Sequence, residues 1–147
     1  MHLFAMDYRK CDGYGCGHFA ASRGARKHEG VDMACPPGTE VGSPVRGQVT
    51  KLGYTYEDDL SFRYVQIVAE VYQFRVFYVD PTVAVGDYVE LGETVGVAQT
   101  LYGRYPAKRT GKMTNHVHFE IMNRAGEVID PTPVIVALRG TLRDWPV

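Results

Sequence analysis

No stretch of the sequence approaches the roughly 20 consecutive apolar residues of a membrane-spanning helix, so no helical span is expected. No charge of either sign dominates: 16 lysines and arginines stand against 17 aspartates and glutamates, which removes the electrostatic reason to expect a nucleic-acid partner. The opening residues, Met1-His2-Leu3-Phe4-Ala5-Met6-Asp7, carry neither the basic start nor the long apolar stretch of a signal peptide. Nor does any segment sustain the 3.6-residue apolar period of an amphipathic helix, which argues against a mainly helical fold. Cysteine is scarce, with three residues in 147. A chain of this length buries a core without such staples, and one domain over residues 1–147 is expected.

What is present points to extended structure. Valine and tyrosine are abundant, glycine and proline punctuate at short intervals, and strands are expected at 40–45, 47–54, 63–70, 72–79, 88–91, 94–98 and 117–122. Between the second and third of these, the acidic Glu57-Asp58-Asp59 lies in a hairpin loop, where carboxylates are cheap to solvate. Residues 100–114, with Arg104, Lys108, Arg109 and Lys112 beside Tyr102 and Tyr105, read as a surface loop. Pro131, Pro133 and Pro146 exclude a central strand from the tail, leaving room for a helical turn at 134–138. Cys11 and Cys16 enclose Asp12-Gly13-Tyr14-Gly15, whose glycines let the chain double back to a local disulfide. Zinc ligation by these cysteines is the alternative, weakened by the lack of a nearby Cys or His partner. Cys35 is then a buried small hydrophobe or a free thiol.

Three of the five histidines fall into two motifs, His28-Glu29-Gly30-Val31-Asp32 and His116-Val117-His118. On a strand, His116, His118 and Glu120 project to one face while Val117, Phe119 and Ile121 project to the other. One face therefore belongs to the core and the other carries chemistry. Two imidazoles and the Asp32 carboxylate make a three-ligand zinc set that leaves a fourth position open, the arrangement of a catalytic site. Taken alone, a His-x-His is often only a half-polar surface filler, and a turn-capping role near Gly30 is the lesser alternative for Asp32. Glu29 and Glu120 are candidates to orient the imidazoles or else solvated carboxylates, Asn115 is a further candidate to orient an imidazole, and His2 and His18 read as surface groups.

At these residues the chain resembles the lysostaphin-type zinc metallopeptidases, which combine a His-x-x-x-Asp motif, a glycine-bracketed hairpin and a late His-x-His. Pro37-Gly38-Thr39-Glu40-Val41, Pro44-Val45-Arg46-Gly47-Gln48-Val49 and the run from Val85-Gly86-Asp87 to Thr94-Val95-Gly96 extend the likeness across about residues 13–133. The resemblance implies an all-β fold of antiparallel sheets that form a groove with long loops and little helix. It implies zinc held by His28, Asp32 and His118, with His116 beside the reactive water as a base or transition-state stabiliser. It also implies peptidoglycan peptides as substrates and a site of action outside the cytoplasm: periplasm, cell surface or virion. A virion or secretion-assembly protein is a compatible partner.

One departure bears on activity. The family carries a further histidine in a Tyr-x-His-Leu segment, whereas this chain reads Val76-Phe77-Tyr78-Val79-Asp80-Pro81 and has no histidine between His28 and His116. The Tyr78 hydroxyl can donate a hydrogen bond to an oxyanion, but with a reference pKa of about 10 it is a poor proton carrier near neutrality. A packed strand residue is the alternative. The same loss, with Gly15-Cys16-Gly17 and Phe77-Tyr78, is similar to a secreted zinc-binding branch of the family regarded as non-peptidase. Two functions follow: a zinc endopeptidase, or a zinc-stabilised module that binds peptidoglycan or a protein without cutting.

Overall fold

Because glycine and proline recur every few residues, the valine- and tyrosine-rich segments are short and fold back on one another as antiparallel strands. The computed structural model describes residues 1–142; Pro146 lies outside them. In chain order the strands are β1 (Ser22–Arg23), β2 (Arg26–Lys27), β3 (Val31–Ala34), β4 (Glu40–Gly42), β5 (Gly47–Tyr54) and β6 (Arg63–Ala69). They continue with β7 (Tyr72–Phe77), β8 (Val79–Pro81), β9 (Tyr88–Val89), β10 (Thr94–Ala98), β11 (His116–Met122) and β12 (Val128–Ile129), before the helix α1 (Thr132–Leu142).

The largest sheet runs β12-β11-β7-β6-β5-β9, and β3 shares with β12 the edge of β11 opposite β7. A second sheet runs β4-β10-β8, and β1 with β2 forms a separate hairpin. Alternation along β11 sends Val117, Phe119 and Ile121 into a core shared with Val31 and Met33 of β3, Val65 and Ile67 of β6, and Phe74 and Val76 of β7. Phe119 meets Phe4 edge-on and stacks on Phe74, with ring centroids 6.1 and 6.3 Å away. A smaller cluster of Phe62, Leu101 and Met113, flanked by Tyr14, Tyr56, Tyr78 and Tyr105, sits under the loops 54–63 and 100–114. The second loop is thus anchored at both ends rather than lying wholly on the surface.

Four expectations need correction. The strand expected at 72–79 is two strands, because Tyr78 adopts a left-handed backbone (φ +69°) where the chain leaves the large sheet for the small one. Its backbone stays paired through the break, with its N–H donating to Arg63 O and its carbonyl accepting from Gln99 N–H. The strand expected at 40–45 stops at Gly42, ahead of Pro44, which has no N–H to offer a ladder. The helical turn expected at 134–138 is a helix of 11 residues. Pro131 precedes it and Pro133 falls in its first turn, where backbone N–H groups have no helical acceptor, while the Asp130 carboxylate accepts the Thr132 N–H at 2.9 Å. Finally, β1, β2, β3, β8 and β12 were not anticipated, since two to four residues carry no readable period.

Candidate metal centre

Pairing register places the site. His118 on β11 stands opposite Asp32 of β3 and opposite Phe77 of β7. Directly opposed residues share a face, so the Asp32 carboxylate and the His118 imidazole emerge side by side, and a slip of one residue would bury the imidazole in the core instead. His28 arrives from the turn between β2 and β3, which lies hard against β11. Gly30 permits that approach: a Cβ there would fall 2.3 Å from the Phe119 carbonyl oxygen and 2.9 Å from His118 Nε2.

The atoms His28 Nε2, His118 Nδ1 and Asp32 Oδ1 converge at mutual distances of 2.9, 2.8 and 3.0 Å. Their outer partners define what these atoms carry. His28 Nδ1 lies 2.9 Å from the His18 carbonyl, which only accepts, so this nitrogen holds the ring proton. His118 Nε2 likewise donates to Glu120 Oε1 at 2.9 Å. Without a metal, a second ring proton on an inner nitrogen is shared with Asp32; when both rings are neutral, the two inner nitrogens and the carboxylate oxygen are three acceptors facing one another. A cation satisfies all three, and the donor set fits a metal ion.

Electrostatics reinforce the picture. Burial opposes charge on Asp32, but hydrogen bonds from His118 and His28 outweigh it and hold the carboxyl well below its usual range. Burial also opposes charge on His118, yet the Asp32 and Glu120 carboxylates push its pKa up to about 9. A proton and a metal ion would therefore compete for the same Nδ1, so that affinity for a cation there would fall with pH.

His116 stands beside this group rather than in it. Its Nδ1 donates to the Thr114 carbonyl at 2.7 Å, and its Nε2 lies 3.4 Å from Asp32 Oδ2. Burial keeps the imidazole below its ordinary pKa against the pull of Asp32, so Nε2 presents a lone pair at neutral pH. Tyr78 meets the His116 ring edge-on, with centroids 5.5 Å apart. Its hydroxyl is 2.7 Å from that of Tyr56, which in turn bonds that of Tyr105. Burial, followed by the neighbouring phenols and Asp32, drives the Tyr78 pKa far up, so it stays protonated. Glu29 is exposed on the rim, and Asn115 turns away to accept the Leu101 N–H at 2.9 Å, so it does not orient His116. The groove around these groups has a volume of about 410 Å³ and is lined by Tyr14, Tyr56 and Tyr105 together with Arg23, Arg26 and Lys27.

Arg9 escaped the sequence reading. Its guanidinium, 1% exposed, donates to Asp32 Oδ2 at 2.8 Å and grips both oxygens of Asp12 at 2.8 and 2.7 Å. The Cys11–Cys16 disulfide closes the loop that holds Asp12, while Cys35 is buried and free. Burial alone raises the Asp12 pKa, but Arg9 and the N–H groups of Thr114 and Tyr14 hold it far below its ordinary 3.8. A depressed carboxyl stabilises the fold above its unfolded pKa, and that stability is lost as pH falls through the folded value. In metal-free protein, stability by urea denaturation is expected to fall below about pH 4, and to fall less steeply in Asp12→Asn. Parallel curves for the two proteins would remove Asp12 from the acid response.

The sequence profile of peptidase family M23 matches residues 26–131, a span that contains both histidine motifs and the hairpins between them. The chain belongs to peptidase family M23. Leukocyte cell-derived chemotaxin-2 of Bos taurus is 30% identical over 115 residues, 78% of this chain and 72% of that protein. Among solved structures, LytU superposes with a TM-score of 0.62 at 26% identity, covering 90% of this chain and 86% of its own. The catalytic domain of lysostaphin from Staphylococcus simulans gives a TM-score of 0.63 at 24% identity over 91% and 95%, a likeness of fold. Against the longer lysostaphin chain, this M23 chain spans about half the length, 51%. Membership makes it a peptidase-type hydrolase domain of a metallopeptidase family, and His28, Asp32, His116 and His118 all lie within the matched segment. The all-β antiparallel fold agrees with the M23 neighbours.

Proposed function

We propose that this chain is a zinc-dependent endopeptidase acting on peptidoglycan peptides, with zinc held by His28, Asp32 and His118. The observation that carries the reading is the meeting of three acceptor atoms within 3.0 Å, each with its outer side already occupied. A zinc ion there supplies Lewis acidity toward a scissile carbonyl and toward water. The chain's own residues supply the rest. The Thr114 carbonyl pins the proton on His116 Nδ1, leaving Nε2 to take a proton from an attacking water. Tyr78, kept protonated, donates to a developing oxyanion when Tyr56 donates to it in turn. Residues 1–147 act as one domain in this reading, outside the cytoplasm, at the cell surface, in the periplasm or on a virion or secretion assembly.

A second reading rests on Tyr78 itself. The family carries a histidine near this position, and here the phenol is held by Tyr56 in a left-handed backbone, which favours a zinc-stabilised module that binds peptidoglycan without cutting it. Zinc-loaded and chelator-treated protein are to be incubated with purified sacculi and newly exposed amino groups counted. Release from the loaded protein alone is expected. Binding of sacculi with background release in both samples would identify the binding module.

A further inference from the structure

We propose that Arg9 is a positioning residue that restricts Asp32 to ligation through one oxygen and weakens its hold on the metal. The inference rests on the metal-site reading above. The two oxygens of Asp32 have separate duties: Oδ1 faces the imidazoles of His28 and His118, while Oδ2 accepts a charged hydrogen bond from Arg9 Nη1 at 2.8 Å. A carboxylate that binds a cation with both oxygens needs both free, and Arg9 occupies the second.

The guanidinium has no freedom to move aside. Nε and Nη2 grip Asp12, and Nη2 also reaches the Gly15 carbonyl at 3.2 Å. Asp12 is fixed in turn by the Tyr14 N–H on Oδ1 and the Thr114 N–H on Oδ2, each at 2.8 Å, the latter from the segment that leads into His116. The backbones are tied as well, with the Arg9 N–H on the Asp32 carbonyl and the Asp32 N–H on the Gly17 carbonyl, at 2.8 and 2.9 Å.

Two physical effects act in the same direction. A donor on a ligand oxygen withdraws electron density, the reverse of what the His18 carbonyl and the Glu120 carboxylate do for the imidazoles. A buried guanidinium also repels a cation held on the far side of the same carboxylate. Together they keep a coordination position open for water or substrate, where a two-oxygen Asp32 would fill it.

The test compares wild type with Arg9→Met, near in length but uncharged, and Arg9→Lys, which keeps the charge. Zinc affinity is read by competition with a chromophoric chelator, and coordination by the visible absorption of the cobalt(II)-loaded protein. Arg9→Met is expected to bind zinc about tenfold more tightly, the scale on which outer partners act, with weaker cobalt absorption as Asp32 turns two-oxygen. Arg9→Lys is expected to stay close to wild type in affinity. A role confined to holding the loop together predicts the opposite: weaker zinc binding in Arg9→Met and an unchanged cobalt spectrum. Should Arg9→Met fail to fold, Arg9→Gln, which keeps an amide donor without the charge, is expected to tighten binding to a smaller degree; unchanged or weaker binding there overturns the proposal. Absence of zinc binding in wild type would instead remove the metal-site reading, and this inference with it.

Discussion

Asp32→Ala protein, purified without chelator and analysed for metal, is expected to have lost zinc that wild type retains, with affinity reduced by about a hundredfold. The magnitude follows from structural zinc sites, whose total binding energy divides to about 3 kcal/mol per ligand. Asp32→Asn separates two consequences of the change. Asparagine keeps an oxygen for the Arg9 guanidinium but is a poor ligand, so it should lose zinc without the further loss of stability. In the alanine variant the deeply buried guanidinium keeps only Asp12 and Gly15 as acceptors, and about 3 kcal/mol of folding stability should go with the ligand. Retention of stoichiometric zinc by Asp32→Ala would place the metal elsewhere.

The second large effect concerns His116. Because its Nε2 is 3.4 Å from Asp32 Oδ2 and its other nitrogen is tied to Thr114, it can be removed without disturbing the three converging atoms. His116→Ala should therefore keep its zinc while amine release from sacculi drops by about a hundredfold or more, the usual contribution of a positioned base. Metal content and release measured on the same preparation separate this role from a structural one. Loss of zinc together with activity would make His116 part of the metal cage, and equal background release from both proteins would favour the binding module.

Much of this was legible in the sequence for a simple reason: strand alternation is a local rule. The segment from His116 to Met122 divides into a core face and a groove face by counting alone, and the structure follows that division. The His28-to-Asp32 motif was legible as a chemical pattern, although the reason for its glycine, the contact with the Phe119 carbonyl, exists only once β3 lies on β11. Arg9 was invisible for the same cause. Its partner Asp32 is 23 residues away, and no period or motif marks an arginine that becomes buried when two backbone segments meet. Asn115 misled in the opposite way, since adjacency to His116 in the chain says nothing of where its amide points. The break at Tyr78 was hidden because the residues on both sides are good strand formers, and only the change of sheet requires the left-handed turn between them.

The pairing of β3 with β11 joins residues 86 positions apart, and a metal ion needs both. Neither half of the chain offers a complete cage, so a cation bound there discriminates between closed and open chains and draws the equilibrium toward closure by mass action. The ion would serve as a latch as well as a reagent: stripping it should leave a protein with the same strands, but one whose first and last quarters part more readily.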